Sequence, residues 1–236
     1  MIRVFQPCII GTIVHRKRTM AVVRFRNRED AGRQMAKALA EYGGKDTVVL
    51  GLPRGGIVPA AEISERLKSP LDVALVRKIS HPLSPEYAVG AVALEGKPIL
   101  NDDEAPDKTA PWLIKSIETA RELNKKRFND YYSDQVKPIS LEGKQAILVD
   151  DGIATGFTME AAIEYVKKKG AKKIVVATAV APLDSAFALR KKVDEFLVVN
   201  DTENFLGAVG AHYNEFEQVS DQQVIRLLRE GRKKDI

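Results

Sequence analysis

Two adjacent carboxylates, set behind a run of apolar residues and ahead of a short loop rich in hydroxyls, are the sharpest chemical feature of the chain. Ala146-Ile147-Leu148-Val149 leads into Asp150 and Asp151, and Gly152-Ile153-Ala154-Thr155-Gly156-Phe157-Thr158 follows. A strand end delivers carboxylates to the carboxyl edge of a sheet, where ligands bind in open α/β folds. A helix opening just after the loop offers unpaired N–H groups and the positive end of its dipole to an anion. Gly156 lets the backbone approach a phosphate closely, and the hydroxyls of Thr155 and Thr158 add hydrogen bonds. A bare phosphate would be repelled by two carboxylates, which suit hydroxyls instead. A ligand with a phosphate at one end and vicinal hydroxyls nearby satisfies both halves, and ribose 5-phosphate has that shape. The bland alternative is an ordinary strand, turn and helix in which Asp151 only caps, and it leaves the agreement of so many constrained positions without a cause.

A second segment joins a strand pattern to a helix pattern. Leu52-Pro53-Arg54-Gly55-Gly56 combines a guanidinium with two glycines, a composition suited to cradling an anion. Alone it reads equally as a tight turn, and it gains weight from the first motif. The absence of a Gly-Lys-Ser/Thr ending sets these loops apart from the nucleoside-triphosphate loop, and the spacing of Gly51, Gly55 and Gly56 does not make a dinucleotide fingerprint.

Across residues 147–158 the sequence resembles, position by position, the type I phosphoribosyltransferases, whose fingerprint is an apolar strand, two acidic residues and a Thr-Gly-x-Thr phosphate loop. The likeness runs over about 25–228. It is nearest to a group of predicted phosphoribosyltransferases carrying Gly-Leu-Pro-Arg-Gly-Gly, Val-Arg-Lys and Val-Asp-Asp-Gly-Ile-Ala-Thr-Gly together. The resemblance implies that the chain holds 5-phosphoribosyl-1-pyrophosphate (PRPP) and transfers the phosphoribosyl group to a nitrogen acceptor, a nucleobase by analogy, releasing pyrophosphate with magnesium present. It implies further that Asp150 and Asp151 contact the ribose hydroxyls and help hold Mg2+. Ala154, Thr155, Gly156, Phe157 and Thr158 would then wrap the 5-phosphate, and Pro53, Arg54, Gly55 and Gly56 the pyrophosphate. Arg77 and Lys78 stand where the family often places cations that reach the leaving group, which would complete a catalytic set with the two aspartates, and they read equally as a solvated strand end.

The same resemblance makes 79–86 a lid that excludes water, with His81 and Glu86 as residues to act there. Many members acting on 6-oxopurines carry an aspartate immediately before Thr-Gly, whereas this chain has Ala154, which argues against that route. The acceptor hood of the family is built from terminal segments, where Phe205, Tyr213 and Phe216, with His212, are placed to stack a base or to plug the sheet edge. Trp112 reads as packing. Homodimers are common in the family. A rival reading is a regulator that senses PRPP without turning it over and touches nucleic acid through its basic surface. Competence-type accessory proteins share the first motif but bring a cysteine-rich zinc segment that this chain does not have.

The elements that must position these loops alternate. Residues 47–52 read as a buried strand, 57–67 as a helix and 71–76 as a strand; 145–149 as a strand, 157–169 as a helix ended by Gly170; then strand 173–179, helix 183–192 and strand 195–199. That alternation predicts an α/β fold, a parallel sheet covered by helices, and the resemblance implies the type I phosphoribosyltransferase arrangement of it, with helices on both faces. A short strand at 21–25 and a helix carrying Ala31, Met35, Ala38, Leu39 and Tyr42, stopped by Gly43-Gly44, precede it. Residues 78–86, with two prolines and no sustained period, read as a loop and 88–94 as a short strand. A long inserted helix follows over 111–132, opened by proline. Residues 201–219 read as an irregular hood, and Ser220 with Gln223 forms a capping box that opens a last helix through 228.

With 236 residues, 44% hydrophobic and 29% charged, one well-buried domain at 20–236 is expected, preceded by an extension at 1–19. No apolar run reaches the roughly 20 residues of a membrane span. Cys8 is the single cysteine, which rules out an internal disulfide and fits a reducing cytoplasm, and the charges at 15–18 follow rather than precede the apolar stretch, the reverse of an export signal. The net charge of +5 comes from scattered lysines and arginines, which read as solvated helix ends rather than a nucleic-acid patch.

Overall fold

The computed structural model describes residues 24–44, 46–133, 136–202 and 205–233, and for 84–87, 201–202 and 233 the backbone alone. The expected extension at 1–19 lies outside the described residues, as does most of the strand expected at 21–25; Phe25 is held in an isolated parallel bridge to Tyr213.

Five parallel strands form the main sheet in the order β2 (Leu71–Val73), β1 (Thr47–Gly51), β6 (Gln145–Asp150), β7 (Lys173–Pro182) and β8 (Glu195–Thr202). The alternation of strand side chains sorts the core into two layers. Val49 of β1 and Ile147 and Val149 of β6 face a cluster built with α1 (Arg28–Ala38), α2 (Ile57–Leu67) and α6 (Asp221–Lys233). Val48, Leu50, Ala146 and Leu148 face the other way, onto α4 (Phe157–Lys168) and Leu189 of α5 (Leu183–Arg190). Because both faces are covered, the strands are continuously apolar, as a doubly covered parallel sheet requires. Asp72 of β2 is a buried tie: its carboxylate accepts from Tyr132 Oη (2.6 Å) and Ile139 N (2.7 Å) and lies 3.3 Å from Arg232 of α6.

One expectation is corrected. Residues 78–86 are not a loop: β3 (Val76–His81) and β4 (Ser84–Ala93) form an antiparallel hairpin, joined by β5 (Ile99–Leu100) into a second sheet. The register shifts between Ile79 and His81, so the proline at 85 falls where the ladder is already irregular. The inserted helix α3 (Pro111–Tyr131) packs beneath this hairpin, with Leu113 and Ala120 against Ile79, Val89 and Val92. Strand β7 also outruns the expected 179, because its apolar run continues through Ala181.

Candidate active site

The strand order reverses between β1 and β6: β1 leads outward to β2, and β6 leads outward to β7 and β8. A crevice opens at the carboxyl ends of such a pair, and the two anion loops of the sequence leave the sheet on either side of it. Leu52 N donates to Val149 O (2.9 Å), so the loops start from bonded neighbours.

On the β6 side, Asp150 closes the strand and Asp151 N donates to Asp150 Oδ1 (2.9 Å). Ile153 N is tied to Val180 O (2.8 Å), and Ser185 Oγ donates to Ala154 O (2.7 Å), so neighbouring elements fix both shoulders of the loop. Gly156 adopts φ 85°, the left-handed conformation that glycine favours, and turns the chain into α4. The first amide there to find a backbone carbonyl is that of Glu160, on Gly156 O (2.9 Å). Among the described residues, no protein acceptor meets the amides of 154–158, and Ala154 and Thr155 are exposed. These N–H groups remain for an anion.

On the β1 side, 52–56 is pressed against the carboxylates. The Pro53–Arg54 peptide is cis. A Cβ on Gly55 would lie 2.7 Å from Asp151 Cγ, closer still to Oδ2, and 3.2 Å from Arg28 Nε. A Cβ on Gly56 would strike Val149 O at 2.6 Å and Leu52 O at 2.7 Å. The glycines are thus required by close approach to the neighbouring loop.

Arg28 is a site residue that the sequence reading did not single out. Asn27 caps α1 by accepting from Asp30 N (3.0 Å), which fixes Arg28 at the first helical position. Its Nε lies 2.5 Å from Asp151 Oδ2, its Nη1 donates to Glu217 O (2.6 Å), and its guanidinium covers the Phe216 ring at 3.7 Å. Asp151 is therefore charge-paired. Asp150 is not: burial first, and the neighbouring Asp151 charge second, hold its carboxyl well above the usual carboxylate range, with Lys78 pulling the other way.

The cations come from the hairpin and beyond. Lys78 on β3 is exposed and faces Asp150. Arg77 is held below its ordinary value by burial and by two further guanidiniums, Arg127 of α3 and Arg54 of the β1 loop. Arg54 and Arg127 both pair with Asp221 of α6, at 3.8 and 3.4 Å, and Tyr131 Oη donates to the same carboxylate. Arg127 and Asp221 also went unnoticed in the sequence.

The phosphoribosyl transferase domain model matches residues 21–215, spanning both anion loops and the hairpin. The chain belongs to the phosphoribosyl transferase family. A candidate phosphoribosyl transferase of Mycobacterium tuberculosis (strain H37Rv) is 39% identical over 208 residues, covering 86% of this chain and 46% of its own length. This chain spans about half the length of the curated relatives it matches. A solved structure of the protein TT1426 from Thermus thermophilus is 39% identical with a TM-score of 0.72, covering 88% of this chain and 98% of that one. A ribose-phosphate pyrophosphokinase of Pyrococcus furiosus is 36% identical over 104 residues, 41% of this chain and 37% of its own length.

Within this phosphoribosyl transferase domain, the aromatic residues expected to meet an acceptor are placed differently from one another. Of its two readings Tyr213 takes the packing one: it is 5% exposed, lies between Phe25 (5.4 Å) and Phe216 (4.9 Å), and donates its hydroxyl to Asp151 O (2.5 Å). It supports the carboxylate loop through that hydrogen bond and, among the described residues, packs against an aromatic ring on either side. Phe216 is 38% exposed, but its ring carries Arg28 and packs on Tyr213. Phe205 stacks on His212 at 5.3 Å. His81, at the end of β3, lies against Trp112 (4.8 Å) and accepts from Leu83 N, while the side chain of Glu86 lies outside the described residues. No helix of the described residues is long and apolar enough to cross a membrane.

Proposed function

We propose that this chain transfers the 5-phosphoribosyl group of PRPP to a nitrogen nucleophile, releasing pyrophosphate. The observation that carries the reading is the junction of the two loops at the sheet's reversal point, where Gly55 abuts the Asp151 carboxylate and the amides of 154–158 meet no acceptor among the described residues. That spacing suits one ligand with a phosphate at each end and hydroxyls in the middle. The pyrophosphokinase relative, named for ribose-phosphate chemistry, accords with a phosphorylated ribose as the shared ligand.

In this reading the loop of 154–158 grips the 5-phosphate and Asp150 and Asp151 accept from the ribose hydroxyls. Arg54, Arg77 and Lys78 then stabilise the charge that the departing pyrophosphate takes with it, as the anomeric carbon gains oxocarbenium character. Because both ends of the donor are fixed, most of the rate comes from positioning and electrostatics. Arg77 and Lys78 sit on a hydrogen-bonded strand rather than a free loop, so any closure over the donor moves the hairpin as a unit.

A magnesium ion fits this site. Hard carboxylate oxygens are its preferred ligands, and among the described residues Arg28 pairs with Asp151 and leaves the Asp150 carboxylate without an arginine partner. Among the described residues no group of three or more acidic, histidine or cysteine ligands gathers, so Asp150 and Asp151 would hold the ion jointly with water and the donor's own oxygens. Bound there, it would offset charge on the leaving pyrophosphate. The acceptor is a small molecule with a nucleophilic nitrogen, and Ala154 beside the phosphate loop argues against the aspartate-assisted 6-oxopurine route. Incubation of the purified protein with PRPP, magnesium and a panel of nucleobases, followed by mass spectrometry, should reveal a nucleotide whose formation depends on Asp150 and Asp151. Absence of donor consumption across the panel, together with absence of donor binding by calorimetry, overturns the proposal.

A further inference from the structure

We infer that Arg127 of the inserted helix α3 is a third guanidinium of the pyrophosphate site, and that Asp221 holds this site as an internal anion which the donor's pyrophosphate displaces. The inference rests on the proposed grip of PRPP and extends it to two residues that belong to neither anion loop.

Two arginines from separate elements pair with one carboxylate, and a third, Arg77, stands near enough to feel the charges of all three. Arg54 comes from the β1 loop, Arg77 from β3 and Arg127 from α3, and Asp221 opens α6. Three positive charges against one negative leave a surplus, and among the described residues no second carboxylate pairs with any of the three arginines. The pairing is also loose. The contacts of Arg54 and Arg127 with Asp221, at 3.8 and 3.4 Å, are longer than a charge-assisted hydrogen bond of about 2.8 Å. Each guanidinium brings five N–H donors, many more than one carboxylate can accept. A terminal pyrophosphate, with several acceptor oxygens and more than one charge, suits the cluster better than a single carboxylate does.

The cluster adjoins the proposed donor site through the chain itself. Arg54 is bonded to Gly55, which touches Asp151. The Asp221 side chain is 44% exposed and that of Arg54 39%, so the pair opens to solvent, whereas Arg127 at 18% is pre-positioned. Ser220 caps α6 by accepting from Gln223 N (3.1 Å), leaving Asp221 at the positive end of the helix dipole, where a carboxylate is stabilised whether or not the arginines hold it. Release of Asp221 therefore leaves the helix start intact. Tyr131 Oη, now donating to Asp221, is the fourth group that an incoming anion would meet.

The test is calorimetric titration of the full chain, wild type and variants, with inorganic pyrophosphate, PRPP and ribose 5-phosphate. Arg127→Gln should weaken pyrophosphate and PRPP by on the order of tenfold or more, the worth of one charge-assisted contact, and leave ribose 5-phosphate unchanged. Asp221→Asn, which keeps an acceptor for Tyr131, should tighten pyrophosphate severalfold by removing the competing charge. Arg127→Lys, retaining charge without the planar fork, should fall between, and it serves if the glutamine variant does not fold. Wild-type protein that binds neither PRPP nor ribose 5-phosphate would overturn the proposed function itself. Binding by wild type with equal affinity in Arg127→Gln and Arg127→Lys overturns the role of Arg127 alone, and weaker pyrophosphate binding in Asp221→Asn overturns the displacement.

Discussion

Substituting Gly55 by alanine tests whether the two loops are one device. The new methyl would lie 2.7 Å from Asp151 Cγ, whereas ordinary contact begins at 3.4 Å, so the carboxylate must retreat by about 0.7 Å at Cγ and more at Oδ2. It has little room to do so. Its Oδ2 is 2.5 Å from Arg28 Nε, and Arg28 is itself fixed by Glu217 O and the Phe216 ring. Breaking a fully buried ion pair costs about 3–5 kcal/mol. Here the two side chains keep 11% and 12% exposure and Arg28 retains its other partners, which lowers the expected loss of stability to about 1–3 kcal/mol. A displaced Asp151 should weaken PRPP by about tenfold to a hundredfold. Urea denaturation reads the first quantity and calorimetry with PRPP the second. A Gly55→Ala protein with wild-type stability and donor affinity would show that the loops do not touch as described, and the argument for a single ligand between them would be lost.

Three further outcomes follow from the same geometry. Asp150→Asn keeps the acceptor for Asp151 N but cannot ionise, and it should abolish transfer while making the protein more stable at neutral pH. Burial and Asp151 raise the folded-state pKa of Asp150, so the native state binds the extra proton, and wild-type stability falls as pH rises from the unfolded value through the folded one. The variant escapes that fall; its advantage at pH 8 without magnesium should vanish below about pH 4 in urea melts, and a less stable variant at pH 8 contradicts the assignment. Tyr213→Phe leaves the Asp151 carbonyl without its 2.5 Å donor and should cost about 1–3 kcal/mol in the same assay, with weaker donor binding. Asp72→Ala strips Tyr132, Ile139 and Arg232 of their shared acceptor and should cost about 3–5 kcal/mol without altering the donor site directly.

What the sequence made legible was contiguous. The strand, carboxylate pair, loop and helix at 145–168 lie in one stretch, and their order alone implies a phosphate-facing helix start. That both faces of the sheet are covered was legible for the same reason, since the strands at 47–52 and 145–149 read as continuous apolar runs. The hairpin β3–β4 was not, because prolines at 82 and 85 break the local pattern while the pairing that defines it is antiparallel and shifted. Arg28, Arg127 and Asp221 look in sequence like any charged residue on a solvated helix face, and only the packing of α1, α3 and α6 around the sheet's edge brings them to the loops. Tyr213 stayed open between stacking and packing because an aromatic in an irregular segment suits both, and the hydrogen bond to Asp151 that favours packing spans 62 residues.

The central claim is tested most directly by a crystal structure of the protein with PRPP bound. The account predicts the 5-phosphate at about 3 Å from amides of 154–158, the ribose hydroxyls on Asp150 and Asp151, and the pyrophosphate against 53–56. A donor bound elsewhere, or one whose 5-phosphate leaves those amides untouched, would contradict it.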